Sequence, residues 1–391
     1  MSQDSLYEIY KKHGYPKALI DNNQHSIGYA IYDYSEQIFG FDNTNNLLEN
    51  LDTTIENWKN SNNEISALGY ISYDIKNVIY PHLEFKPISN ISPLYWFAKP
   101  DKIISYNINN YDIGNNKIDE IFILQDLLDQ KLYGEIINKI KKELEFGNAY
   151  QINMTMLKKY KITIHPFFLY LIIRKFAKPK FGYYLQIDDE YVLSFSPEQF
   201  FNISNNIIKT FPMKGTRPRG KNKEDDNKLK LDLRNADKDR AEHLMIVDLM
   251  RNDIGKICKY GSVNVKDLFK VYSYETVNQM VSCVYGELKN SVTLKDIIKA
   301  LFPGGSITGA PKESAMQIID KLENYSRGVY TGGIGYFKNN GDINFNMAIR
   351  TMIIKNMIGK YSVGGGIVWD SNPIDEWEEA QLKSEILNRD K

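Results

Sequence analysis

The sequence predicts an α+β fold built mainly from antiparallel sheets, and three observations carry that expectation. Short runs rich in β-branched and aromatic residues recur at 181–187, 191–195, 207–213, 281–288, 330–337, 343–354 and 361–369, which is the composition of strands. Helical periodicity at 132–146, 241–251, 294–301, 311–322 and 375–388 falls between and after these runs and does not alternate strictly with them. Antiparallel pairing follows from Asn339-Asn-Gly341, because Asn-Gly between two strand-like runs is a strong hairpin signal.

Residues 1 to about 125 are rich in Asn, Asp and Ile, with strand-like runs at 27–31 and 67–73. The polar stretch from Asn107 to Asn116 has little apolar periodicity, and it is the expected boundary between a shortened N-terminal region, 1–125, and a main region, 126–391. A chain of 391 residues is long enough to bury a large core. Lysine plus arginine (49) balance aspartate plus glutamate (49), so no net field recruits nucleic acid or an anionic membrane, and any anion must be held locally. Cys258 and Cys283 belong to no Cys-x-x-Cys pair or ligand cluster, which fits a reduced, cytoplasmic setting. Neither a signal peptide nor a membrane span is expected.

Several polar residues fall where burial is costly. On a helix at about 100° per residue, Glu242 shares the stripe of Met245, Ile246 and Leu249, the expected core side. A carboxylate there needs a cation or hydrogen bonds, and a buried arginine pair answers that need as well as a metal does. Glu376, Glu379 and Lys383 project from one face of the last helix. A hard divalent ion with oxygen ligands would relieve repulsion among these glutamates, whereas a surface Glu379–Lys383 salt bridge explains the same spacing without one.

Three glycine-rich segments, at 303–312, 330–336 and 363–368, let backbone N–H groups approach an anion. The first is not a nucleotide P-loop, since Lys312 comes two residues too late. Arg350 lies in the strand-like run among apolar neighbours and is expected to be buried against a carboxylate. Lys214 shares an alternating face with Ile208, Thr210 and Pro212, an inward position that would depress its pKa and free a nucleophilic amine; a snorkelling surface lysine fits too. Glu198, at a turn between two strands, is positioned to protonate a leaving hydroxyl, although ordinary turn chemistry also explains its Ser-Pro context.

Together, Gly147-Asn-Ala-Tyr-Gln-Ile-Asn153, Ser196-Pro-Glu198, Pro212-Met-Lys-Gly-Thr216, the run from Glu242 to Asp253, the loop from Gly304 to Lys312, Ala348-Ile-Arg-Thr351, Gly364-Gly-Gly366 and Glu376 to Lys383 resemble the chorismate-binding enzymes. The likeness runs from about residue 132 to the C-terminus and more loosely through Gly69 to Tyr73 and Pro93 to Phe97. It implies a layered sandwich of mainly antiparallel sheets flanked by helices. It also implies that Glu242, Glu376 and Glu379 hold magnesium. Gly215, Thr216, Gln279, Ser306, Tyr330, Arg350, Gly364, Gly365, Gly366 and Lys383 would seat chorismate, with Glu198 as general acid. Water-adding members carry lysine at the position of Gln151, whereas ammonia-adding members resemble this chain in having glutamine. Lys214 resembles the lysine of the members that aminate C4 through a covalent adduct, which implies aminodeoxychorismate formation for para-aminobenzoate and folate; anthranilate formation is the alternative, and a non-catalytic chorismate-binding subunit the reading from another class. Gln279 departs from the family's usual histidine and cannot carry a proton. With no Cys/His/Glu glutaminase constellation in the chain, the expected partner is a separate glutamine amidotransferase subunit supplying ammonia.

Overall fold

The computed structural model of the chain describes residues 4–22, 26–41, 46–59, 63–87, 92–110, 122–274 and 277–387. The expected boundary stretch therefore lies outside the described residues from 111 onward. Two ten-stranded sheets, antiparallel at every recorded pairing, form the centre. The first runs Gly309–Ala310, Gln151–Lys161, Ile358–Ile367, Thr351–Lys355, Glu190–Ser196, Phe181–Ile187, Ala18–Asn22, Ile27–Ile31, Ile103–Asn107, with Phe122–Asp126 joined to Gln151–Lys161. The second runs Met213–Pro218, Val277–Glu287, Ile207–Thr210, Gln199–Ser204, Ile343–Met347, Gly333–Lys338, Ile65–Ile71, Tyr95–Pro100, Tyr34–Gly40, with Asn264–Ser273 on the far side of Val277–Glu287.

Strand alternation builds the layers. Ala18 and Ile20 enter a core between the sheets with Tyr70, Trp96 and Ile334, while Leu19 points the other way, into a core shared with Tyr133 and Ile137 of the Gln130–Glu145 helix and Phe167 of the Pro166–Ala177 helix. A third core joins the outer face of the second sheet, through Phe201 and Phe345, to the Leu47–Trp58, Asp237–Gly255 and Leu294–Leu301 helices. The result is the expected α+β sandwich, ordered helix, sheet, sheet, helix. Residues before 108 supply three strands to each sheet, so 1–125 and 126–391 share both sheets and the core between them. Among the described residues, no helix is long and apolar enough to cross a membrane.

Phe181–Ile187 and Leu294–Leu301 form where periodicity predicts them. Two expected strands divide. The run at 207–213 breaks before Met213, where Pro212 has no N–H to give a ladder, and 343–354 becomes Ile343–Met347 and Thr351–Lys355 because the chain changes sheets at 348–350. The Pro166–Ala177 and Lys223–Asn235 helices escape a periodicity argument for opposite reasons: one is apolar nearly all round, the other polar nearly all round.

The sheet change recurs beside it. Glu190–Ser196 belongs to the first sheet and Gln199–Ser204 to the second, so Pro197 and Glu198 also cross between them. The two crossings are bonded together: Met347 N–H donates to Glu198 O at 3.1 Å, Phe195 N–H to Arg350 O at 3.0 Å, and Ser196 Oγ to Met347 O at 2.6 Å. Behind them, Phe345 packs with Phe97, Phe201 and Phe337 at ring separations of 6.3, 5.1 and 5.6 Å. Truncation by Phe345→Ala is expected to cost about 3–5 kcal/mol of stability, read from the midpoint of chemical denaturation.

Candidate active site

Gly365 and Gly366 organise the cleft, because functional side chains occupy the space that a β-carbon would need. A Cβ on Gly366 would lie 2.7 Å from Gln151 Nε2 and 3.0 Å from Lys214 Nζ. On the neighbouring residue, Gly365, it would meet Glu376 Oε2 at 3.3 Å, Lys383 Nζ at 3.7 Å and Glu379 Oε1 at 3.8 Å. Gln151 starts a strand of the first sheet that lies between Gly309–Ala310 and Ile358–Ile367, Lys214 lies on the edge strand of the second, and the three charged groups come from the Pro373–Ser384 helix. Any larger residue at 366 would displace the amide or the amine.

Lys214 is half-buried and turns its Nζ inward over Gly366, as its alternation with Ile208, Thr210 and Pro212 predicts. Burial pushes its pKa below the usual lysine range; the Glu242, Glu198 and Glu379 carboxylates oppose that shift and Lys383 reinforces it. Gln151 is fully buried, and neither side-chain polar atom has a hydrogen-bond partner. Two orphaned amide atoms beside an amine are a costly arrangement, relieved by a ligand that bonds them. Gly215, next to Lys214, holds a left-handed φ of 72° at a bulge in the strand. Thr216 pairs across the sheet with Gln279; Thr216 is exposed and Gln279 half-buried.

Glu198 is half-buried in its crossing and accepts a 3.0 Å hydrogen bond from Ser306 Oγ. Burial raises its pKa to about 7, even though the Ser306 hydroxyl and the Lys214 and Lys180 ammonium groups all pull it down. It is therefore a carboxylic acid poised near neutrality. Lys180 was not legible beforehand: it follows a Lys-Pro loop and carries no pattern, and only folding puts it near Glu198. His243 was also missed. It is buried, shares a 2.6 Å hydrogen bond between Nε2 and Ser282 Oγ, and is held near a pKa of about 4 by burial and by Lys214, so it stays neutral at physiological pH.

The acidic residues differ from expectation in depth. The buried stripe of the Asp237–Gly255 helix is His243, Ile246, Val247, Met250, Asp253 and Ile254, which leaves Glu242 half-buried on its shoulder, because the helix rolls its stripe by about one residue relative to the predicted one. Glu376 is half-buried and accepts from Ser371 Oγ at 2.6 Å; Glu379 is exposed and pairs with Lys383 at 2.6 Å. Burial raises the pKa of Glu242 and of Glu376, and each is pushed further by the other acidic groups, Glu379 included. For Glu379 burial acts upward too, but Lys383 outweighs it and the net shift is downward.

Among the described residues, no three His, Cys, Asp or Glu side chains stand close enough to form a ready ligand set. The chemistry of the donors would still suit a hard cation: Glu242, Glu376 and Glu379 offer only carboxylate oxygens, and these repel one another.

Arg350 is the clearest correction. It is exposed, sits outside any strand at a left-handed φ of 51°, and has no ion-pair partner among the described residues, because the crossing between sheets turns its side chain away from the core. Tyr330 is buried near Tyr361, whose hydroxyl also feels Arg350. Lys383 donates to Gly364 O at 2.8 Å as well as pairing with Glu379, so its charge is engaged within the protein. Lys312 is buried against Asp253 at 2.6 Å, a structural pair and no phosphate ligand.

The raised acid has a consequence for stability. A carboxyl whose folded pKa lies above its unfolded value of 4.5 contributes fully below that value and loses its contribution as pH rises through about 7. Glu198→Gln should therefore gain stability relative to the parent chain between pH 5 and pH 8, measured by chemical denaturation at both; an unchanged difference would show that the acid is not held protonated.

Comparison with known proteins agrees with the residue pattern. A family described as chorismate binding enzyme matches residues 15–389. Anthranilate synthase component 1 of Saccharolobus solfataricus is 36% identical over 335 residues, covering 82% of this chain and 79% of that protein. Aminodeoxychorismate synthase component 1 of Bacillus subtilis is 38% identical over 257 residues, 66% of this chain and 55% of that one. In fold, the chain is similar to anthranilate synthase component I from Streptococcus pneumoniae, with a TM-score of 0.82, 24% identity, and coverage of 93% and 92% of the two chains. With the family matched over almost its whole length, the chain belongs to the chorismate-binding enzymes.

Proposed function

We propose that the chain is a magnesium-dependent aminodeoxychorismate synthase component I, which joins ammonia to C4 of chorismate. The observation that carries this reading is the meeting of Lys214 Nζ and the unpartnered Gln151 amide at Gly366, near an acid with a pKa of about 7. Lys214 Nζ would attack C2 as the C4–O bond breaks, with Glu198 delivering its proton to the departing hydroxyl as water. Ammonia would then form the C4–N bond while the C2–Nζ bond breaks, and the lysine amine returns. Gln151, an amide in place of a basic lysine, offers ammonia a hydrogen-bond partner without activating water.

Glu242, Glu376 and Glu379 would hold the magnesium, whose charge would neutralise the ring carboxylate of chorismate. Arg350, exposed and without an ion-pair partner among the described residues, would take a substrate carboxylate, with Tyr330, Gly364, Gly365, Gly366 and Lys383 completing its seat. Ammonia would come from a glutamine amidotransferase subunit; the relatives' designation as component 1 agrees with a partner component.

The extent of the match to the Saccharolobus protein favours a second reading, anthranilate formation by amination at C2. Lys214 separates the two. Incubation of the purified chain with chorismate, magnesium and ammonium should give aminodeoxychorismate by mass and retention, and an aromatic fluorescent product formed without added lyase would decide for anthranilate. Lys214→Ala is expected to abolish C4 amination, and normal turnover by that variant would refute the covalent step. Glu242→Gln should weaken magnesium-dependent chorismate binding with the fold intact, measured by calorimetry across a magnesium titration.

A further inference from the structure

Arg327 touches none of the groups assigned above, yet its bonds lead to two of them. Its side chain is 1% exposed and pairs with Glu323, itself 3% exposed, through Nε to Oε2 at 2.8 Å and Nη2 to Oε1 at 2.7 Å. A pair needed only for charge balance could end there. Nη1 instead continues to Ile307 O at 2.9 Å, and Nη2 to Asn153 O at 2.7 Å. Ile307 directly follows Ser306, the donor to Glu198, and Asn153 lies two residues beyond Gln151 on one strand. Glu323 Oε1 also accepts from Thr155 N at 2.9 Å and Thr155 Oγ1 at 2.7 Å, so the carboxylate holds the same strand one pleat further on.

The guanidinium stacks over the Tyr73 ring at 4.5 Å, which fixes its plane. It also lies 3.4 Å from Thr331 Oγ1, and Thr331, next to Tyr330, is a β-branched residue held at a φ of 61°. One buried planar group thus spans a glycine-rich loop, the Gln151 strand and the turn that holds Tyr330. A lysine could keep the charge opposite Glu323 but could not reach these acceptors together, because its donors radiate from a single nitrogen.

We propose that Arg327, oriented by Glu323, is a positioning residue for the amination reaction: it fixes the Ser306 loop against Glu198 and in register with the Gln151 strand. This rests on the function proposed above. Misplacing a reacting group by about 1 Å can cost roughly 100-fold in rate, so a rigid fork at this junction has leverage although it contacts no substrate. The Ser306 hydroxyl also tempers Glu198, whose acidity burial alone would suppress further. Loosening the loop should therefore move the acid as well as slow the reaction.

The test compares Arg327→Lys, Ser306→Ala and the double variant with the parent chain, using chorismate, magnesium and ammonium across pH. Arg327→Lys is expected to lower kcat by about 10- to 100-fold with little change in the chorismate KM, and to shift the basic limb of the pH profile upward. Ser306→Ala should give the same upward shift, and adding Arg327→Lys to it should move the limb no further. An unmoved limb, or a loss of rate matching the fraction unfolded, would reduce Arg327 to scaffolding and overturn the inference, as would an unchanged kcat. If Arg327→Lys does not fold, Glu323→Gln, which keeps an acceptor for Thr155 and the guanidinium, is read by the same criteria. Absence of aminodeoxychorismate from the parent chain would instead defeat the proposed function.

Discussion

The site depends on the paired crossings through which the chain leaves one sheet and enters the other. Ladder hydrogen bonds stop where a strand changes sheets, and the freed backbone groups need new partners. Met347 N–H with Glu198 O, Phe195 N–H with Arg350 O, and Ser196 Oγ with Met347 O supply them, so the two crossings satisfy each other. The same bonds hold Glu198 and Arg350 at a common junction between the sheets. Neither residue could sit in a regular strand and do this, since a strand would commit its side chain to one packed face.

Charge then sets the chemistry of that junction. Lys180, Lys214 and Lys383 stand among Glu198, Glu242, Glu376 and Glu379, and burial works against every one of the groups it shifts. Burial moves Lys180 and Lys214 toward free amines and the acids toward protonated carboxyls, while the attraction of opposite charges pulls the other way. An acid near neutrality beside a lysine short of its full basicity is what nucleophilic attack with an assisted leaving group requires. His243 adds no charge, because burial and Lys214 keep it neutral and its Nε2 is engaged with Ser282. A few uncharged contacts matter equally: the missing side chains at Gly365 and Gly366 are the room in which the amine, the amide and the helix carboxylates converge.

The supporting shell is made of buried ion pairs that hold carbonyls in place. Asp253 with Lys312 anchors the end of the glycine-rich loop to the Asp237–Gly255 helix, and Glu323 with Arg327 ties that loop to the Gln151 strand. Asp21 with Arg174 joins Tyr106, Tyr170 and the carbonyl of Ile108 on the far side of the first sheet. Such pairs add little net stability over apolar packing, but removing one partner leaves an uncompensated charge. Their value here is geometric, since a bidentate guanidinium fixes orientation as well as distance.

The amino-acid sequence by itself determined the strand and helix periods, the antiparallel hairpin at Asn339 to Gly341, the inward face of Lys214, the turn position of Glu198 and the common face of Glu376, Glu379 and Lys383. These are properties of single elements, where one period governs which residues share a side. Only the tertiary structure decided that 343–354 is two strands in different sheets, that Arg350 is exposed, that Glu242 rides the shoulder of its helix, and that Arg327 reaches both the Ser306 loop and the Gln151 strand. Each of those depends on which segments, far apart in the chain, become neighbours, and no local periodicity encodes that choice: pairing between sheets and the closing of buried hydrogen bonds fix it only when the whole chain packs.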